Sequence, residues 1–323
     1  MSEARTIAHP NLALSKYWGK REGSLERVPA VPSLSVTLGG LATRTFVRFD
    51  ASLVDDRVLI GGEEARGEAR ARVVGVVDRV RAAAGEKRRV LVESANDFPT
   101  ASGLASSASA FAALALAGVR AAGLDWDAAR VSDLARRGSV SAARSVFGGY
   151  VELDAGGESA RPVAPCDHMP LAVLVCVTTD QRKAIGSTEG MRTTMERSPY
   201  AHAWLDAAPR LHAELRAALL ARDFEHVGEL AEASALAMHA CAIAAGVVYW
   251  NGATIDTLAA VRALRGAGTP VYATVDAGPH VKVLARASEA ARVRDAMRAA
   301  PGVERVIEAR PGEGARLVDE VIT

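Results

Sequence analysis

The 323-residue chain has only three cysteines, Cys166, Cys176 and Cys241, an odd number without metal-ligand spacing. That argues against a secreted disulfide scaffold and fits a reducing, cytoplasmic setting. It also lacks a dominant charge, since 39 Lys and Arg stand against 38 Asp and Glu, a net charge of +1. No global field draws it to nucleic acid or to an anionic membrane, so any anion must be held locally. The opening MSEARTIAHPNLALSKYWGK has no apolar signal core, and no run reads as long enough to span a bilayer. Repeats and low-complexity tracts are missing as well. A soluble protein is expected, and 49% hydrophobic composition at this length suits a large core divided between two lobes.

What is present is an interleaving of strands and helices. RTFVRF (Arg44 to Phe49) and RVLVES (Arg89 to Ser94) alternate as strands, and EARARVVGVVDRVRAAAG (Glu68 to Gly85) has helical spacing and a glycine stop. A helix over Ala105 to Ala122 and a shorter one near Trp126 to Arg136 follow. RRGSVSAARSVFGGYVEL then reads as a polar turn, a helical turn and a strand. ESARPVAPCDHMP is Pro-rich and irregular, a boundary that divides the chain into residues 1–168 and 169–323. The apolar PLAVLVCVTT opens the second part as a buried strand. Helices are expected at about Ala201 to Ala221, Glu225 to Ala240, within TIDTLAAVRALRGAG and near Ala287 to Ala299, with strands at VYATVDAG and VERVIEAR.

Chemistry concentrates in a few segments. FPTASGLASSASAFAALALAG (Phe98 to Gly118) sets small and hydroxylated residues where an apolar helix begins. Unpaired amides and the positive end of the macrodipole meet there, so an anion can approach the backbone. The same serines would also suit a plain cap on a core helix. NLALSKYWGKREG brings Lys16, Tyr17 and Lys20 together, where a helical or turned backbone would aim them at one anion, and a solvated basic turn is the alternative. RRGSVSAARS offers Ser139, Ser141 and Arg144, whose guanidinium can grip a carboxylate in a bidentate fork. KAIGSTEGMR adds hydroxyls and Arg192 but reads more readily as an exposed loop. In DAGPHVKV, Asp276 leaves a buried strand either pointing into a cleft or capping its own turn.

Taken together, Asn11 to Lys20, PSLSVTL (Pro32 to Leu38), the Phe98 to Ala110 loop, Arg136 to Ser145 and DAGP resemble, in the same order and over nearly the whole chain, the diphosphomevalonate decarboxylases. These belong to the galactokinase, homoserine kinase, mevalonate kinase and phosphomevalonate kinase superfamily, and their signatures are close to NIALIKYWGK, FPTAAGLASSASG, RxGSGSACRS and YTFDAGPN. The resemblance implies an α+β fold with a ribosomal protein S5 domain 2-like N-terminal lobe, an α/β sandwich C-terminal lobe and an active site in the cleft between them. It also implies ATP as cosubstrate, Mg2+, a homodimer and a place in isoprenoid biosynthesis.

The implied reaction phosphorylates the tertiary C3 hydroxyl of mevalonate 5-diphosphate and then releases phosphate and CO2. In that reading Asp276 handles the hydroxyl proton, Arg144 holds the substrate carboxylate and Lys16 completes the catalytic set. Tyr17, Lys20, Ser139, Ser141 and Arg192 take the substrate. Gly103, Leu104, Ala105, Ser106, Ser107 and Ser187 surround the ATP phosphates, with Ser106 near the metal, and Ser94, Asn96 and the PSLSVTL strand fall to the adenine pocket. The chain departs from the pattern at Ser15, where an apolar residue is usual, at Val31 and His280, where Asn is common, and at Gly186, where Ser is common. These departures leave open mevalonate 5-phosphate as the substrate. A kinase that stops at C3 phosphorylation is a further alternative, against which the retained Asp276 and Arg144 argue, and a nucleotide-binding pseudoenzyme regulator is another, against which the retained Asp276, small hydroxylated loop and Lys16 argue.

Overall fold

The computed structural model describes residues 2–20, 28–98, 106–181 and 183–319. They form two sheets with helices packed on them, an α+β architecture. The six-stranded sheet has the order β14-β1-β4-β7-β5-β6, built from β1 (Glu3–Ala8), β4 (Thr43–Asp50), β5 (Arg57–Ile60), β6 (Glu63–Glu64), β7 (Arg89–Asn96) and β14 (Arg316–Leu317). The eight-stranded sheet runs β11-β12-β10-β13-β3-β8-β9, with β2 (Asn11–Ser15) also paired to β3 (Ser33–Gly39). Its other strands are β8 (Tyr150–Leu153), β9 (Arg161–Ala164), β10 (Leu171–Val177), β11 (Val271–Val275), β12 (Val281–Arg286) and β13 (Arg305–Pro311).

Sequence periodicity explains the layers. In α1 (Gly67–Ala84), Val73, Val76, Val77 and Val80 make one apolar stripe, and Gly85 ends the helix in the left-handed region at φ 66°. The stripe packs in a core shared with Val47, Phe49, Val90 and Val92 of the six-stranded sheet and with α2 (Ser106–Ala121). The α2 helix is rich in Ala and buried nearly all round, lying between that sheet, α1, α3 (Ala128–Gly138) and α4 (Ala142–Ser145). Apolar β10 is covered on both faces, which is why all its residues are buried. Leu171, Val173, Val175 and Val177 meet a core shared with α6 (Ala201–Leu220) and α7 (Phe224–Ala244), while Leu174 and Cys176 meet one shared with α8 (Gly252–Gly266) and α9 (Ala290–Arg298). The last long helix, α5 (Ser187–Arg197), packs on α6 and α7.

The chain ends of the two parts interlock. From the C-terminal part, β13 pairs with β3 and β14 with β1. That return demands glycine: a Cβ on Gly312 would sit 2.4 Å from the Gly39 amide nitrogen.

Several expectations need correction. Asn11 to Ser15 is a strand, not a helical turn, because Leu12 and Leu14 face the core. The exposed loop expected at KAIGSTEGMR gives way to α5 from Ser187 onward. Part of the Pro-rich boundary, Arg161–Ala164, forms β9 against β8. Finally, α7 is long and apolar enough by length and composition to cross a membrane, with mean hydropathy 1.2, but it is a core helix whose Val227, Leu230, Ala231 and Met238 pack against the sheet and neighbouring helices.

Candidate active site

Both parts of the chain line one cavity of about 590 Å³, of the size that small-molecule sites favour. Asp276 leaves the end of β11 into it. Its turn is closed by the backbone, Gly278 N–H donating to the Asp276 carbonyl at 2.7 Å, so the side chain is not used as a cap. Lys16 Nζ donates to Asp276 Oδ1 at 2.7 Å, and Lys282 Nζ lies 3.4 Å from Oδ2. Burial alone would raise the Asp276 pKa, but these two ammonium charges outweigh it and hold the carboxyl well below the usual range. Burial also lowers the Lys16 pKa, opposed by Asp276.

A break in strand parity places Lys16 in the cavity. Asn11 and Ala13 of β2 line it, and an unbroken strand would send residue 15 there next. The pairing of β2 with β3 shifts register between Ala13 and Ser15, a bulge that turns Lys16 inward instead. The alternation of SLSVTL does related work on β3. Leu34, Val36 and Leu38 enter the core, whereas Ser33 and Ser35 reach Arg144 from the other face. Arg144 Nη1 donates to Ser33 Oγ at 2.6 Å, Nε to Ser35 Oγ at 3.0 Å, and Nη2 approaches Asn11 Oδ1 at 3.4 Å. Burial lowers the Arg144 pKa to about 10, which leaves it protonated at neutral pH. Asn11 in turn donates to the Ser141 carbonyl at 2.9 Å and to Ser145 Oγ at 2.8 Å, tying β2 to α4.

The hydroxyls gather beside this pair. Ser107 Oγ is 3.4 Å from Ser139 Oγ, which is 3.2 Å from Ser141 Oγ, and Ser106 joins them on the cavity wall. Tyr17, Lys20 and Ser187 line it too, with Lys20 Nζ 3.3 Å from Thr188 Oγ1. Gly103, Leu104 and Ala105 lie outside the described residues.

Three assigned residues are not among the cavity lining. Arg192 is 63% exposed and pairs with Glu196, one turn along α5, at 2.9 Å. Ser94 Oγ bonds Thr45 Oγ1 at 2.9 Å, and Asn96 Oδ1 accepts from Thr43 Oγ1 at 2.6 Å, both across the β4–β7 pair. The PSLSVTL strand, assigned to an adenine pocket, instead braces Arg144.

Sequence reading passed over other members of the site. Lys183 Nζ donates to Ser187 Oγ at 2.7 Å and to the Ala277 carbonyl at 2.8 Å. Burial, aided by the Lys282 charge, brings its pKa down to about 8. Lys183 opens the quoted KAIGSTEGMR, so its signal was a lysine before a hydroxyl-rich helix start. Lys282 sits two residues beyond the DAGPH turn, and Arg72 of α1 also lines the cavity, donating to the Gly138 carbonyl at 2.9 Å. The lining thus has Lys16, Lys20, Arg72, Arg144 and Lys183 against Asp276 and Glu68, a receptor for an anionic ligand.

Relatives share this architecture. Residues 8–164 match the diphosphomevalonate decarboxylase-like N-terminal domain and residues 173–315 the mevalonate 5-diphosphate decarboxylase C-terminal domain. The phosphomevalonate decarboxylase of Haloferax volcanii is 36% identical over 305 residues, covering 91% of this chain and 92% of that protein. The human diphosphomevalonate decarboxylase is 34% identical over 301 residues, 84% of this chain and 74% of that protein. The mevalonate diphosphate decarboxylase of Staphylococcus aureus superposes with a TM-score of 0.92 at 34% identity, over 98% of each chain. The MDDEF complex with MVAPP, AMPPCP and magnesium gives 0.91 at 35% identity, over 98% of this chain and 99% of that one. With both domains matched in order around one cationic cavity, the chain belongs to the diphosphomevalonate decarboxylase family.

Proposed function

We propose that the cavity carries out the ATP-dependent decarboxylation of mevalonate 5-diphosphate to isopentenyl diphosphate, ADP, phosphate and CO2. The observation that supports this most directly is the placing of an ionised carboxylate, Asp276, in one cavity with a braced guanidinium, Arg144. Asp276 meets the C3 hydroxyl. So acidic a carboxylate is a weak base, and it orients the hydroxyl first and receives the proton as phosphoryl transfer proceeds. Arg144 holds the substrate carboxylate ionised and aligned with the C–C bond that breaks. As the C3 phosphate departs, that bond's electrons fill the vacancy at C3 and CO2 leaves. Preorganised charge, without covalent catalysis, supplies the rate.

Ser106, Ser107, Ser187 and Lys183 suit the nucleotide phosphates, and Tyr17, Lys20, Ser139 and Ser141 the substrate's phosphate end. Magnesium, when bound, neutralises phosphate charge. Ser106, on the cavity wall, is the hydroxyl that would lie nearest the ion, and a hydroxyl oxygen suits so hard a cation. A cytoplasmic homodimer completes the proposal and is checked by solution mass and cell fractionation.

A second reading takes mevalonate 5-phosphate to isopentenyl phosphate. It is favoured by the missing hydroxyl at Gly186, by the engagement of Arg192 with Glu196, and by the name of the Haloferax relative. The deciding experiment is ATP-dependent CO2 release measured side by side on mevalonate, its 5-phosphate and its 5-diphosphate. The highest kcat/KM should fall on the diphosphate, and ADP without CO2 from every substrate would replace the proposal with a kinase.

A further inference from the structure

Ser15 departs from the family pattern, and its surroundings explain what a hydroxyl does there. It is 1% exposed, at the bulge that turns Lys16 into the cavity. The bulge sets Leu34 N–H against a side chain, and that amide donates to Ser15 Oγ at 2.7 Å. Ser15 Oγ is also 3.0 Å from His212 Nδ1 on α6. An ionised carboxylate only accepts, and Glu152 Oε2 faces His212 Nε2, so the neutral imidazole carries its proton on Nε2 and Nδ1 accepts from the Ser15 hydroxyl. His212 Nε2 lies 3.5 Å from Glu152 Oε2 on β8, and Glu152, 1% exposed, is gripped by Arg161 Nε at 2.7 Å and Arg216 Nε at 3.1 Å. Burial lowers the His212 pKa, Arg216 adding to the effect and Glu152 and Asp154 opposing it, so the ring is neutral and Nδ1 is free to accept. Every bond in the chain has one donor and one acceptor.

We propose that Ser15 and His212 are positioning residues for the reaction: the chain Leu34–Ser15–His212–Glu152 fixes the β2 bulge and thereby holds the Lys16 ammonium against Asp276. The Lys16 N–H donates to Ser234 Oγ of α7 at 2.9 Å, and its ammonium donates to the Ala13 carbonyl at 2.8 Å, on the other side of the bulge, so the path of the bulge sets where the ammonium lies. Small misplacements of a group that touches the reacting centre are costly in turnover.

The inference rests on the proposed decarboxylation, and the test separates the two. Asn places its amide oxygen where His carries Nδ1, whereas Gln places its amide nitrogen near Nε2. His212→Asn therefore keeps an acceptor for Ser15 and His212→Gln loses it, with the imidazole gone from both. On the phosphorylated mevalonate that wild type turns over best, His212→Asn should keep kcat within about threefold, and His212→Gln and Ser15→Ala should each lose about tenfold or more in kcat with KM for ATP little changed. Ser15→Thr, which keeps the hydroxyl, should restore it. Equal kcat in the Asn and Gln variants, or wild-type kcat in folded Ser15→Ala, overturns the inference. Should wild type release no CO2 from any substrate, hydrogen exchange decides instead: the Leu34 amide should be protected in His212→Asn and exchange at least about tenfold faster in His212→Gln, and equal protection rejects the chain.

Discussion

Lys16, just beyond β2, sets its ammonium 2.7 Å from Oδ1 of Asp276 at the end of β11, so residues from the two ends of the chain meet as one charge pair. Asp276→Asn keeps the side chain's shape but removes the anion that Lys16 and Lys282 share. We expect substrate binding to survive and kcat to fall by roughly two orders of magnitude or more. Isothermal titration beside steady-state CO2 release checks this, and near-normal turnover in a folded variant would remove Asp276 from the mechanism.

Arg144 should tolerate no substitute. Arg144 is 2% exposed and lines the cavity, with Nε held by Ser35, Nη1 by Ser33 and Nη2 near Asn11, so each terminal nitrogen keeps one further N–H for a carboxylate. Arg144→Met should lose CO2 release by about three orders of magnitude or more, and Arg144→Lys should also be severe, because a point charge cannot align a carboxylate. Ser35→Ala, which frees the fork without removing it, should cost about tenfold in kcat. Equal effects on KM for ATP and on kcat would place Arg144 on the nucleotide instead.

The residues show what sequence could and could not reveal. PLAVLVCVTT was legible as a buried strand because both its faces are covered, and EARARVVGVVDRV as a helix because its valines recur at helical spacing. NLALS was not, because a bulge breaks its alternation and polar Asn11 and Ser15 are buried for site reasons. The start of α5 carries Ser187 and Thr188 beside Gly186 and Gly190, weak helix formers that look like a loop, whereas the helix is held by Gly190, Met191 and Thr194, which are buried as α5 packs on α6 and α7. Within the site, Asp276, Arg144 and Lys16 stood out through their motifs. Lys183 and Lys282 did not, since their meaning depends on a turn and a strand parity that bring them to Asp276 and Ala277.

Gly186 offers a gain-of-function test. It is the residue before α5, in extended backbone at φ −65° and ψ 149°, and a Cβ there would meet nothing within 4 Å. Gly186→Ser should fit without strain and cap the helix, adding a few tenths of a kcal/mol to stability. Because Gly186 lines the cavity, the hydroxyl should also lower KM for the phosphorylated substrate, by more for the diphosphate than for the monophosphate. A higher melting temperature with both KM values unchanged would confine the effect to the cap.

Lys183 sets the alkaline limit. Burial first, and then the Lys282 charge, bring its pKa down to about 8, while Asp276 opposes them. The ammonium attracts phosphate oxygens below that pH and loses its charge as pH rises through it. Nucleotide binding should favour the protonated form, so the affinity of the free enzyme for ATP should fall progressively between about pH 8 and 9.5 with proton uptake on binding in that range. Lys183→Arg should hold affinity level across the window, since a guanidinium stays charged, and Lys183→Met should be weak throughout. Titration calorimetry in buffers of different ionisation enthalpy reads both the affinity and the proton count. An alkaline fall that persists unchanged in Lys183→Arg would assign the titration to another group.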